Sequence, residues 1–118
     1  MKAGKIALVL GVATLLCLGA AQAADTIKIG LLAPLTGFAA ADGASVKNSV
    51  DLAVEKVNAG GGLLGRKVEL VVYDDRADAK DAVALAQKLI QQDKVVGLVA
   101  GSYSRPTRAV APIFQDEG

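Results

Sequence analysis

From residue 26 onward, short apolar runs alternate with stretches whose apolar residues recur at helical spacing. Thr26 to Ala33, TIKIGLLA, is a β-rich run that ends at Pro34. Ala44 to Asn58 places Val46, Val50, Ala53, Val54 and Val57 at helical intervals. Val68 to Tyr73, VELVVY, predicts a second strand, and Ala79 to Gln92 a second helix with Ala82, Val83, Ala86, Leu89 and Ile90 on one face. Lys94 to Ala100, KVVGLVA, predicts a third strand, and Pro106 to Asp116 a third helix with Val110, Ala111 and Phe114 turned inward. Near-continuous apolar strands separated by helices imply a parallel sheet covered on both faces. The expected fold is α/β: a partial doubly wound sheet of βαβαβα connectivity with strand order 2-1-3. In such a sheet a ligand sits beyond the carboxyl ends of the strands, where the order reverses. The loops at 34–43 and 101–105 meet there.

One motif invites a different conclusion. Gly60-Gly61-Gly62-Leu63-Leu64-Gly65 fits the spacing G-x-G-x-x-G. A dinucleotide fingerprint must follow a strand and open a helix, so that the helix N-terminus faces the pyrophosphate. Here the glycines follow a helix and lead into a strand, at the opposite end of the sheet. Gly60 is expected to be the left-handed residue closing the first helix, and the others to form the turn.

The first two dozen residues break the alternation. Lys2 and Lys5 precede an apolar run from Ile6 to Ala21, and Ala21-Gln22-Ala23 has the small-x-small form of a signal peptidase site. The run is short for a bilayer span. A secretory signal peptide over residues 1–23, cleaved after Ala23, is expected, leaving 24–118 as the folded part. Cys17 is the only cysteine and follows Leu16, not the small residue a lipoprotein site needs. Loss of Lys2 and Lys5 leaves 11 basic and 12 acidic residues, so no basic face for nucleic acid is indicated. With no histidine and no cysteine beyond residue 23, a zinc site or a His-dependent triad cannot be assembled from the remaining chain. No cofactor and no enzymatic activity are expected.

Three stretches could carry chemistry. In GSYSRPTR, Gly101 to Arg108, Ser104 is a plausible N-cap with Pro106 in the first helical turn. Free N–H groups and nearby hydroxyls suit a carboxylate; Ser102 and Ser104 could equally serve only to cap the helix. PLTGFAAADG, Pro34 to Gly43, reads as a long loop of small residues that either lines a ligand or simply turns into the helix. Its Phe38 is a candidate pocket wall or a cover over the core. YDDRAD, Tyr73 to Asp78, pairs carboxylates, but the simpler role is a helix cap by Asp75 or Asp78, with Arg76 offsetting the charge.

Taken together, IKIGLLAPLTG, DGASVKNSVDLAVEKVNAGGGLLGRKVELVVYDDRAD and GLVAGSYSRPTRAVAPIFQDEG resemble, in order and spacing, the opening of the periplasmic branched-chain amino acid-binding proteins. These are the solute-binding subunits of ABC importers. The resemblance implies the first half of the N-terminal lobe of a type 1 periplasmic-binding-protein fold, with a small-molecule ligand in a cleft between two lobes and a membrane permease as partner. It places Ser104 at the family's carboxylate-binding serine, flanked by Ser102, Tyr103 and Arg105. Asp42 falls where amino acid binders of this family often carry an aromatic residue over the ligand side chain. The resemblance also implies a chain cut after its third βα unit. A ligand-sensing receptor of the same lobes, for amides, urea or other small organic acids, is the alternative, and a flavodoxin-like enzyme a more distant one.

Overall fold

The computed structural model describes residues 25–117. The expected signal peptide, its cleavage site and Cys17 lie outside them. Within them the order is β1 (Ile27–Ala33), a 3-10 turn (Gly37–Ala39), α1 (Ala40–Ala59), β2 (Val68–Asp74), α2 (Ala79–Lys88), a π turn (Leu89–Asp93), β3 (Leu98–Val99) and α3 (Ser104–Glu117). The three strands form one parallel sheet in the order β2-β1-β3, as the alternation requires. β1 pairs with β2 from Ile27 opposite Val68 to Ala33 opposite Asp74, and with β3 at Gly30–Leu98 and Leu31–Val99.

The core sits where β1 meets α2 and α3. Leu32, Ala82, Ala86, Leu89 and Val110 are buried together, with Tyr73, Leu98, Ile113 and Phe114 packed around them. Alanines on the inner face of α2 let that helix lie close to the sheet and leave room for Leu89. On the other face, α1 is tied to β2 by one side chain. The Asn58 amide donates to the Val68 carbonyl and its oxygen accepts from the Val68 N–H, both at 2.8 Å.

Several expectations need correction. The stretch from Pro34 to Gly43 is not a long loop. Only Pro34, Leu35 and Thr36 are irregular before the 3-10 turn, and α1 begins at Ala40. Ala39, Ala40 and Ala41 are strong helix formers, and Asp42 in the first turn complements the helix dipole. Gly43 therefore lies inside the helix. It is needed there because a Cβ would sit 2.0 Å from the Pro34 carbonyl oxygen. Gly60 is not left-handed, with φ −81°. The positive φ values fall on Gly61 and Gly62, whose N–H groups bond back to Asn58 and Val57. A two-residue turn follows, Leu63 and Arg66 exchanging both backbone hydrogen bonds across Leu64 and Gly65, which both have positive φ.

The third strand is shorter than KVVGLVA suggests. Lys94 ends the π turn in a left-handed conformation, and only Leu98 and Val99 are in regular strand. Hydrogen bonds from Val96 N–H to the Lys28 carbonyl and from Gly30 N–H to the Gly97 carbonyl still hold the segment against β1. Helix α3 begins at Ser104, two residues before expectation, and Ala111 is exposed while Ile113 takes the packing position. Ala111 instead borders an open groove of about 290 Å³ between β3 and α3, with Val96, Leu98, Thr107, Val110 and Phe114.

Candidate functional site

The carboxyl ends of β1 and β3 open into two loops that touch. The ring of Phe38, in the 3-10 turn after β1, meets the ring of Tyr103, just before α3, edge to face. Their centroids are 5.8 Å apart and their planes 85° apart. The Tyr103 hydroxyl donates to Asp42 Oδ2 at 2.8 Å, crossing from the β3–α3 loop to the first turn of α1. Three of the five residues singled out from the sequence therefore form one contact cluster at the switch point. The hydrogen bond to Asp42, aided by partial burial and by the carboxylate's charge, holds the Tyr103 phenol above its ordinary pKa.

The two serines are placed differently from expectation. Ser104 is an exposed first residue of α3 and not its N-cap. Tyr103 takes the cap position, since its carbonyl accepts from both the Thr107 N–H, at 3.3 Å, and the Thr107 hydroxyl, at 2.8 Å. Pro106 has no N–H to offer and is buried. The N–H groups of Ser104 and Arg105 stand in the first turn, where a helix has no internal acceptors for them. The Ser102 hydroxyl is buried without a hydrogen-bond partner. A buried orphan hydroxyl is costly, and such groups are rare in folded proteins.

What fixes the β1–α1 loop is a residue the sequence reading passed over. Asp74, at the end of β2, accepts from the Leu35 N–H at 2.8 Å and the Thr36 hydroxyl at 2.5 Å, and also from the Arg76 N–H. Burial works to raise its pKa, but the bonds from Thr36, Arg76 and Leu35 outweigh it and hold the carboxyl below its ordinary value. The adjacent Asp75 is buried, its Oδ1 accepting from the Ala77 N–H. Burial, with the charges of Asp74 and Asp81 added, holds it above its ordinary value. Of the two candidates for capping α2, Asp78 does so, its Oδ1 accepting from the N–H groups of Lys80 and Asp81. Arg76, expected to offset the charge of Asp75 and Asp78, pairs with Asp81. The YDDRAD stretch is thus a structural brace. Its signal in the sequence was the run of acids at the end of a strand, which can clamp a neighbouring loop as readily as bind a metal. Among the described residues no three His, Cys, Asp or Glu side chains gather as metal ligands.

The glycine turn lies at the other pole, where Arg66 donates to the backbone of Asp25 and Thr26 at the start of β1. It is remote from the Phe38–Tyr103 cluster, as strand direction demands.

Comparison with known proteins agrees with the fold. Residues 26–118 match the family described as periplasmic binding protein. A leucine-, isoleucine-, valine-, threonine- and alanine-binding protein of Pseudomonas aeruginosa is 41% identical over 97 residues, which is 82% of this chain and 26% of the relative. A branched-chain amino acid transporter substrate-binding protein of Streptococcus pneumoniae, solved with isoleucine, superposes with a TM-score of 0.75 at 31% identity, covering 79% of this chain and 27% of that one. A solute-binding protein of an ABC transporter from Rhodopseudomonas palustris, solved with 3,4-dihydroxybenzoic acid, gives 0.68 at 34% identity, covering 75% and 24%. The chain spans about a quarter of the length of these relatives. By the sheet order, the loops that meet at its switch point and the match along nearly all of its described residues, this chain belongs to the periplasmic binding protein family.

Proposed function

We propose that the protein to which this chain belongs is the solute-binding subunit of an ABC importer, exported to the periplasm after cleavage behind Ala23, and that it captures an amino acid or a related small organic acid for a membrane permease. The observation that carries the reading is the contact of the β1–α1 and β3–α3 loops through Phe38, Tyr103 and Asp42. It makes one wall of a ligand site at the carboxyl end of the sheet. The ligand carboxylate is received at the start of α3, by the N–H groups of Ser104 and Arg105 and by the hydroxyls of Ser102 and Ser104. Binding there uses oriented dipoles with no counter-charge, so no strongly desolvated ion pair is needed and release to a permease stays cheap. The Ser102 hydroxyl is covered and unpartnered here, so it meets a ligand oxygen only if its loop shifts as the ligand enters.

A second lobe closing over this wall completes the site and excludes water. A single wall offers few contacts, so affinity depends on that closure. No bond is made or broken; the work is recognition and delivery. Isothermal titration of the complete protein with the branched-chain amino acids and a set of small organic acids is the test. One-to-one binding at micromolar or lower dissociation constant by any of them supports the reading. Absence of heat throughout the panel refutes it.

A further inference from the structure

The loop that carries Phe38 has little of its own to hold it. Phe38 is 84% exposed, and its neighbour Gly37 has φ +79° with open space where a Cβ would point. Pro34 has no N–H, so the first backbone donor after β1 is Leu35. That N–H and the Thr36 hydroxyl both go to Asp74, on Oδ1 at 2.8 Å and on Oδ2 at 2.5 Å. Among the described residues these are the hydrogen bonds that tie Leu35 and Thr36 to another strand. Behind Asp74 the backbone is strained. Arg76 and Ala77 are both left-handed, at φ 51° and 59°, in a turn closed by the Asp78 N–H on the Asp75 carbonyl at 2.8 Å. Residues with a Cβ take that conformation only under constraint, and such strain gathers at functional sites. Here it aims the Arg76 N–H at Asp74 Oδ1, 2.9 Å away. The carboxylate is thus fixed from behind while it grips the loop in front.

We infer that Asp74 is a positioning residue for ligand binding: through Leu35 and Thr36 it keeps the β1–α1 loop in the arrangement that receives a ligand, without touching the ligand itself. The inference rests on the solute-binding reading and says what sets affinity at that site. The relay is short. Asp74 fixes Leu35 and Thr36, the chain passes through Gly37 to Phe38, and the Phe38 ring meets Tyr103 from the neighbouring loop. Both Asp74 oxygens are already taken by protein donors. A loop free to swing about Gly37 would present Phe38 correctly only part of the time, and apparent affinity falls by that fraction. Hydrogen bonds to a carboxylate are among the stronger ones, so losing both should cut the competent fraction by about tenfold or more. A bound ligand holds the loop in their place. The loss therefore falls on association and leaves dissociation nearly unchanged.

Calorimetry of the complete protein with leucine, isoleucine, valine and benzoate, and then with the panel of small organic acids, supplies the probe: the tightest binder found. Asp74→Ala should weaken it at least about tenfold. Thr36→Val, which removes only the hydroxyl, should weaken it about threefold to tenfold, and Thr36→Ser, which keeps the hydroxyl, by less than about twofold. Asp74→Ala combined with Thr36→Val should lie within about twofold of Asp74→Ala alone, because both act through one bond. Gly62→Ala, in the turn at the far pole, loses stability without disturbing this loop and should keep the parent affinity within about twofold. Stopped-flow tyrosine fluorescence should place the losses in the association rate. An Asp74→Ala protein that binds like the parent overturns the inference. So do single effects that multiply in the double variant, a loss confined to dissociation, or a Gly62→Ala loss as large as that of Asp74→Ala. Each of these leaves the importer reading standing. Where Asp74→Ala fails to fold, the Thr36 variants decide, because Thr36 is exposed: equal affinity of the valine and serine forms overturns the inference. A parent that binds nothing in the whole panel overturns the importer reading, and the inference with it.

Discussion

Gly43→Ala separates local helix preference from tertiary fit. Alanine is favoured over glycine in a helix interior by roughly 1 kcal/mol, so propensity alone makes the substitution stabilising. Gly43 lies in the first turns of α1, against the Pro34 backbone at the end of β1. A Cβ there would stand 2.0 Å from the Pro34 carbonyl oxygen and 2.5 Å from its carbon. Both are backbone atoms, so no rotamer change relieves the overlap, and α1 must move by more than an ångström or so to restore contact distance. Overpacking of this kind costs about 1–3 kcal/mol and occasionally more. With the clash on backbone the upper part of that range applies, and the net loss is about 2 kcal/mol after the helix gain. In a cooperative unit of about 60–100 residues that lowers the melting midpoint by roughly 8–16 °C, and in one of about 150–250 residues by roughly 4–8 °C. A second readout follows from the same displacement. Moving the start of α1 pulls Asp42 from Tyr103, so ultraviolet titration should show the Tyr103 phenol returning toward its ordinary pKa. A midpoint equal to or above that of the parent, with the phenol still elevated, would refute the argument.

The glycine turn gives a paired test: Gly60→Ala should leave stability within about 0.5 kcal/mol, because φ is −81° and a Cβ meets only ordinary contacts, whereas Gly62→Ala should cost more than 1 kcal/mol or so, since φ is +80° and the Cβ would lie 2.0 Å from the Arg66 carbonyl oxygen. Denaturant midpoints of the two variants decide it. Asp78→Ala removes the N-cap of α2 and should cost about 1 kcal/mol by the same measurement. Asp75→Asn keeps an oxygen for the Ala77 N–H and removes a buried charge, so it should raise stability at neutral pH. The folded carboxyl titrates above its unfolded value, so its contribution to stability is full below the unfolded pKa and is lost as pH rises through the folded pKa. The advantage of the variant should therefore vanish in acid. Asp74 has the opposite sign: its stabilising clamp is present above the unfolded pKa and is lost as pH falls through its lowered folded value, so Asp74→Asn should flatten the acid limb of the stability profile.

Much of the fold was legible because period-two and period-3.6 patterns do not overlap here. Apolar strands such as IKIGLLA and VELVVY cannot be read as amphipathic helices of ordinary length, and the rules of parallel sheets then limit the strand order. Boundaries were less legible where two signals compete. The small residues of PLTGFAAADG read as a loop, yet the alanines within it extend α1 by four residues, and Gly43 is present for contact with Pro34 rather than for flexibility. At the triple glycine, composition fixed a left-handed turn but not which residues adopt it. At the site, pattern placed both loops at one end of the sheet. It could not show that Tyr103 reaches Asp42, a contact 61 residues apart in sequence, or that Asp74 holds Leu35 and Thr36 in the loop after β1. Nor could it distinguish Ser104 as cap from Ser104 as first helical residue, since the choice depends on a single backbone carbonyl.

The central claim is that the loops after β1 and β3 form one wall of a ligand site. The most direct measurement is a crystal structure of the complete protein with its bound ligand. The account requires the ligand carboxylate within hydrogen-bonding distance of the Ser102–Arg105 segment and the body of the ligand in contact with Phe38 or Tyr103. A ligand lodged beside the Leu63–Arg66 turn, or held wholly away from both loops, would contradict it.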